Sequence, residues 1–176
     1  GQTCRATLRG GDCGTERCAC ARAMGSGALA TSDTEVTVAA GTLEISYAGA
    51  PVREAAGQVV GAFEVITDQT AVRRAMRASR KVSAYQDAEA ARLVGALGAL
   101  ARGERGLELR VGEGDADTAA ARAQFEAISA ALGQTAAAVA ALVRDVNRLA
   151  EAAIAGDLSR RAEASAHAGE FSKIMQ

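Results

Sequence analysis

Four cysteines, Cys4, Cys13, Cys18 and Cys20, are the residues whose type and spacing most directly suggest chemistry. A thiolate holds soft metals, exchanges with disulfides and attacks electrophiles. Their spacing, C-x8-C-x4-C-x-C, departs from the paired C-x2-C frame of a structural zinc site. A metal centre or redox switch at these four residues is one expectation; reduced structural thiols in a cytoplasmic setting are the plainer one. His167 is the sole histidine, so acid–base chemistry by a histidine pair is excluded, and a solvated connector side chain is expected. Glu104, Glu108, Glu113, Asp115 and Asp117 lack the ligand order of an EF-hand and read as solubilising loop charge. Arg73, Arg74, Arg77, Arg80 and Lys81 form a basic run with few aromatic stacking partners nearby, which reads as a solvated helix face. The sequence contains no phosphate-binding loop, no Ser–His–Asp arrangement and no paired catalytic carboxylates. No enzymatic activity is expected, and no cofactor is required.

The elements that carry these residues are constrained by composition. The chain has 176 residues, a formal charge of −1, 3% aromatic residues, no Trp and a single Pro, Pro51. Near-neutral charge removes the global electrostatic reason to expect nucleic acid. Abundant Ala with few large side chains suits long helices in close contact more than a thick globular core. No apolar run approaches the roughly 20 residues that span a bilayer, and no basic-then-apolar leader opens the chain. Neither a membrane span nor a leader is therefore expected. Gly1 and Gln176 both look like cuts through something longer.

The chain divides into three zones. Residues 1–30 are rich in Gly and Cys, with a short helical stretch around Cys18–Met24. Between 34 and 68, Glu35–Val38, Thr42–Tyr47 and Gln58–Thr67 read as strands. In the second of these, Leu43, Ile45 and Tyr47 alternate with polar residues, the period of a half-buried strand. Three consecutive strands predict an antiparallel meander with one face covered. Asp68 or Thr70 is placed to cap a helix over about Ala71–Ala101, with Ala90, Leu93, Leu97 and Leu100 on one face and Gly103 and Gly106 ending it. A nonhelical connector carries Leu107, Leu109 and Val111, after which Asp117 or Thr118 caps a second helix.

That second helix has a heptad seam of Phe125, Ile128, Leu132, Thr135, Val139, Leu142, Val146 and Leu149. From Thr118 to Ala155 it would extend about 57 Å. A helix of that length cannot bury its stripe alone, and a parallel homodimer is the simplest partner. The arrangement then repeats: Leu100–Glu104 corresponds to Ile154–Leu158, and Gln124–Ile128 to Glu170–Ile174, with the second copy cut short.

This repeat resembles consecutive HAMP modules of methyl-accepting chemotaxis proteins, in which two helices joined by an extended connector dimerise into a parallel four-helix bundle. Gly103, Leu107 and Val111 match the glycine and the two apolar connector anchors of that family; Gly156, Asp157 and Leu158 match the corresponding junction. Asp145–Leu149 through His167–Phe171 looks like a linked HAMP array. Upstream, Gln58–Thr67 is similar to the last strand of a PAS domain, with Asp68-Gln69-Thr70 at the position of its Asp-x-Thr exit motif. Gly1–Arg5 is reminiscent of a flavin-adduct motif, yet the only Asn is Asn147 and Ile66 stands where the family's Gln would fall, so flavin photochemistry is not expected. Residues 1–70 contain no histidine for haem.

The resemblance implies an α+β chain: the C-terminal half of a PAS-like antiparallel sheet, then HAMP-type helices in a parallel dimeric four-helix coiled coil. Its domains would be 1–70, 71–143 and an incomplete 139–176. It implies a cytoplasmic segment of a receptor at the inner membrane that relays a sensory change to a kinase-control module. The kinase CheA and adaptor CheW would be reached through downstream helices that this chain does not contain. The same input region could instead serve a histidine kinase or a diguanylate cyclase. A module centred on the cysteines, sensing metal or redox state, is a second alternative, and a purely structural coiled coil with no coupling between strands and helices is the third.

Overall fold

The alternation of Leu43, Ile45 and Tyr47 becomes the central strand of a sheet. The computed structural model describes residues 10–39, 41–104 and 106–174. Strand β2 (Gly41–Arg53) pairs antiparallel with β1 (Ala30–Val38) on one side and β3 (Val59–Asp68) on the other, in the order β1-β2-β3. This is the expected meander, with longer strands. Helix α1 (Ala19–Ser26) packs on it, and Ala19, Val36, Ile45 and Tyr47 form a small core flanked by Ala30 and Leu43.

Gly49 sets how closely α1 approaches β2. A Cβ there would lie 2.8 Å from the carbonyl carbon and oxygen of Ala19 and from Cα of Cys20, all backbone atoms. Pro51 is tolerated in the central strand because β1 ends its pairing at Ala30↔Gly49; beyond that point β2 has only β3 beside it. The apolar middle of β3 is largely exposed, with Val60, Phe63 and Val65 all more than half accessible.

Two long helices come next: α2 (Thr70–Ala101) and α3 (Ala119–Ile154). Both end in the same way. After α2, the Gly103 N–H bonds to the Leu100 carbonyl (2.9 Å) and the Glu104 N–H to Ala99 (3.0 Å), with Gly103 at φ 77°. After α3, Gly156 bonds to Ala153 (3.1 Å) and Asp157 to Ala152 (2.9 Å), with Gly156 at φ 82°. These are paired Schellman closures, which favour glycine because the left-handed backbone crowds a Cβ. A 3-10 turn (Ala164–Ala166) and the short helix α4 (Glu170–Ile174) complete the described chain.

Contacts divide the chain into two compact units, Gly1–Ser79 and Arg80–Gln176. One expectation needs revision. By length and composition α3 is apolar enough to cross a membrane. Residues 127–143 carry no charge, and abundant Ala raises the mean hydropathy although large apolar residues are sparse.

Gly49→Ala is expected to destabilise the first unit by about 1–3 kcal/mol, the usual cost of forcing atoms into a packed contact. Gly61→Ala, whose Cβ would meet open space, should stay within about 0.5 kcal/mol. Urea unfolding of the two variants checks the contrast.

Candidate functional site

Where the sheet hands over to α2, Glu44 on β2 gathers three interactions. Its N–H donates to Thr70 Oγ1 (2.9 Å), its carbonyl accepts the Gln69 N–H (2.8 Å), and its carboxylate takes both terminal nitrogens of Arg77 (2.9 and 2.5 Å). Asp68 Oδ1 accepts the Thr70 N–H at 2.8 Å, so Asp68 and Thr70 start the helix together. Arg73 reaches Asp33 on β1 at 2.9 Å. The basic run is therefore not simply a solvated face: Arg73 and Arg77, one helical turn apart, grip two strands. Bonding to Arg77 holds the Glu44 carboxyl below its ordinary range, and bonding to Thr70 does the same for Asp68. Sequence reasoning missed Glu44, because alternation placed it among the polar residues of its strand and nothing local indicated Arg77 as partner.

In the second unit, α2 and α3 run in the same direction. Tyr85 and Phe125 meet edge to face with centroids 6.4 Å apart; further along both helices, Leu100 and Val139 line one groove of about 330 Å³. The connector returns between these levels. Leu107 and Leu109 line that same groove, and Leu109 touches the space over Gly133. Gly112 comes next: its carbonyl accepts the Tyr85 hydroxyl (2.9 Å), and its N–H donates to Glu89 (3.2 Å). Asp115 and Asp117 then take the Lys81 ammonium at 2.7 and 2.9 Å. Leu107, Leu109 and Val111 are all half-buried, and Gly103 starts the return.

Glu89 is the buried polar centre of this unit, 3% exposed and paired with Arg92 at 2.7 Å. It carried no sequence signal. A Cβ at Gly112 would lie 2.7 Å from both the Glu89 carboxylate and the Arg92 guanidinium, so a side chain there would displace that pair. The acidic loop is also more than solubilising charge, since Lys81 holds the Asp115 carboxyl low and the two aspartates push the Lys81 ammonium up. Thr118 occupies the N-cap of α3, but its hydroxyl accepts the Asp115 N–H (2.9 Å) instead of capping the helix.

His167 departs furthest from expectation. Its side chain is 3% exposed, with Nε2 2.7 Å from Asp145 Oδ2 on α3; Arg148 lies 3.3 Å from the other oxygen. The second connector is thus tied back to its helix through a buried imidazole, a contact that no spacing rule reveals. Asp157 caps the turn by accepting the Ser159 hydroxyl at 2.6 Å, which keeps its carboxyl low. Leu158 is 74% exposed and does not pack as an anchor.

Along the heptad seam, Phe125, Leu132, Val139, Leu142 and Leu149 are half-buried, whereas Ile128, Thr135 and Val146 are exposed. The Thr135 hydroxyl bonds to its own helix at Ala131 (3.0 Å). On α2, Leu93 and Leu100 are half-buried, while Ala90, Val94 and Leu97 are exposed.

Among the cysteines, Cys13, Cys18 and Cys20 are partly buried thiols, and Cys4 lies outside the described residues. Among the described residues, no group of three His, Cys, Asp or Glu side chains could hold a metal ion. Beside the thiols, the buried Asp12 carboxylate accepts the Ser32 hydroxyl (2.7 Å) and the Tyr47 hydroxyl (3.2 Å). The Tyr47 oxygen in turn accepts the Ala19 N–H at 3.3 Å. Burial pushes the Tyr47 phenol up to about 12.

The chain is thus a mixed helix-and-sheet protein whose sheet feeds a helix–connector–helix with parallel helices. Comparison finds no protein family, curated protein or solved structure that matches it.

Glu44 and Asp68 titrate below their ordinary values of 4.5 and 3.8, so their contribution is complete at neutral pH. It is lost as pH falls through the depressed values. Amide exchange at Gln69 and Thr70 is therefore expected to accelerate below about pH 4, relative to the strand core, once intrinsic rates are corrected. In the second unit, Glu89→Ala leaves the Gly112 N–H without its acceptor and is expected to cost about 1–3 kcal/mol in thermal unfolding.

Proposed function

We propose that this chain is a signal-transducing segment of a bacterial chemoreceptor. It relays a change in a PAS-like sensory half through HAMP-like helices towards a kinase-control module. The observation that carries the reading is the composition of α2. Its first turns are bound to the sheet through Thr70, Arg73 and Arg77, and its later turns carry Tyr85 and Glu89, which hold the returning connector. A change in the sheet that loosens Glu44 acts on the same helix whose packing positions Leu107, Leu109 and Val111. Parallel helices joined by an anchored, returning connector are also the geometry of the family that the sequence resembles.

The mechanism is a shift between packings. With Ala along much of the helix faces, alternative arrangements of a bundle differ by only a few kcal/mol, the gap a bistable element requires. Glu44–Arg77 and Asp33–Arg73 bias the start of α2; Glu89, Lys81 and the connector bias its later turns. Output passes along α3, and through Phe171 and Ile174 of α4, to downstream helices that engage CheA and CheW.

The occupant of the exposed stripe is a second copy of the chain. Ile128 and Val146 on α3, with Val94 and Leu97 on α2, leave large apolar area accessible, on α3 beside the half-buried residues of the same seam. Ile128 and Val146 belong to the seam from Phe125 to Leu149, whose three- and four-residue steps suit a parallel homodimer. This reading places the segment in the cytoplasm, attached to a receptor at the inner membrane, with α3 in the dimer seam and not in lipid.

Sedimentation equilibrium tests the reading. The wild-type chain is expected to be dimeric, and Ile128→Asp, which leaves the half-buried packing in place, should raise the dimer dissociation constant at least tenfold. Leu142→Asp should both break the dimer and reduce helicity. A monomeric wild type, or Ile128→Asp without effect on association, would overturn the reading. Arg77→Ala should also change amide exchange across Phe125–Leu149 if the sheet and the seam are coupled; unchanged protection there would leave a structural coiled coil with no relay.

A further inference from the structure

We propose that Cys13 and Cys18 form a redox-active dithiol that closes to a disulfide by exchange with a low-molecular-weight disulfide of the glutathione type. This inference stands independently of the relay reading, since it concerns only the first unit.

The geometry singles out this pair. Both residues line one cavity of about 10 Å³, bounded also by Asp12, Glu64, Ile45 and Tyr47; Cys20 does not line it. That volume is at the threshold for a single water, too small for a bound ligand. The intervening chain is folded by consecutive turns, with the Thr15 N–H bonded to Asp12 (3.1 Å), the Cys18 N–H bonded to Thr15 (3.2 Å), and Gly14 at φ 81°. These turns fold the segment between the two cysteines back on itself, and closure would need their Cα atoms about 4.4–6.8 Å apart. Both cysteines are only partly buried.

Cys20 is a poor competitor. Burial, followed by the nearby charges of Glu64, Cys18 and Cys13, pushes its thiol up to about 11, which suppresses the attacking thiolate at neutral pH. Metal capture is also disfavoured, because the described cysteines do not converge with a third ligand.

The reaction balances as ordinary exchange. One cysteine thiolate attacks a sulfur of the small disulfide RSSR, forming a mixed disulfide and expelling RS⁻. The second thiolate attacks the protein sulfur of that mixed disulfide, forms the Cys13–Cys18 bond and expels the second RS⁻. The dithiol loses two electrons and two protons, and RSSR is reduced to two RSH. The closed loop would sit against Asp12 and the Tyr47 hydroxyl, which holds the first amide of α1. Tyr47 shares strand β2 with Glu44, so the bond forms close to the sheet's grip on α2.

The test is peptide mapping of the full chain after incubation with oxidised glutathione and alkylation of residual thiols. Trypsin cuts after Arg9, Arg17 and Arg22, so Cys13 falls in Gly10–Arg17, while Cys18 and Cys20 share Cys18–Arg22. The expected product is a cross-link between these two peptides that is reversed by dithiothreitol. It should persist in Cys20→Ser and disappear in Cys13→Ser and Cys18→Ser. Full alkylation of all thiols, glutathione adducts alone, a dominant link through Cys4, or a link that survives Cys18→Ser would each overturn the assignment. Because Cys20→Ser must retain the bond, a misfolded Cys13 or Cys18 variant cannot by itself produce the expected pattern.

Discussion

An alanine-rich helix has little to bury, and this constraint shapes the whole chain. With few bulky side chains, stability cannot come from one thick core, so each helix is held by discrete polar or small-residue contacts. The sheet uses Gly49 to bring α1 onto β2 and Glu44 to seize α2. The helical unit uses Glu89 and Lys81 to fasten a connector that would otherwise lie loosely in a groove. Several of these fasteners are charged groups near the surface, where an ion pair contributes little to overall stability but sets geometry well.

The two Schellman ends show how one local solution serves twice. Gly103 and Gly156 both close their helices through bonds to the second- and third-last carbonyls and send the chain into a return. The two returns are fastened differently. Tyr85, Glu89 and Lys81 hold the first; His167 on Asp145 holds the second, with Leu158 left in solvent. The repeat is therefore one of backbone punctuation more than of side-chain anchoring.

In the first unit, one strand connects two chemistries. Tyr47 faces the buried Asp12 and the thiols, and Glu44, three residues earlier on β2, faces the start of α2. A strand transmits displacement along its axis because its ladder to both neighbours is stiff. The cysteine-rich segment and the helix exit thus lie on opposite parts of one strand.

Much of this is legible in the order of residues alone. The strand of alternating Leu43, Ile45 and Tyr47, the helix starts at Asp68–Thr70 and near Thr118, and the stops at Gly103 and Gly156 are all local signals. Periodicity, capping and left-handed backbone depend on residues within a few positions of one another, so a linear chain of letters records them. The expectations that failed were of another kind. His167 as a solvated side chain, the arginines as a bare charged face and the acidic loop as solubilising charge were each judged from composition near the residue. Their partners, Asp145, Glu44 with Asp33, and Lys81, lie 22 to 40 positions away in the chain. A charged side chain's role is decided by whatever countercharge folding brings within a few ångströms, and only tertiary structure makes that choice.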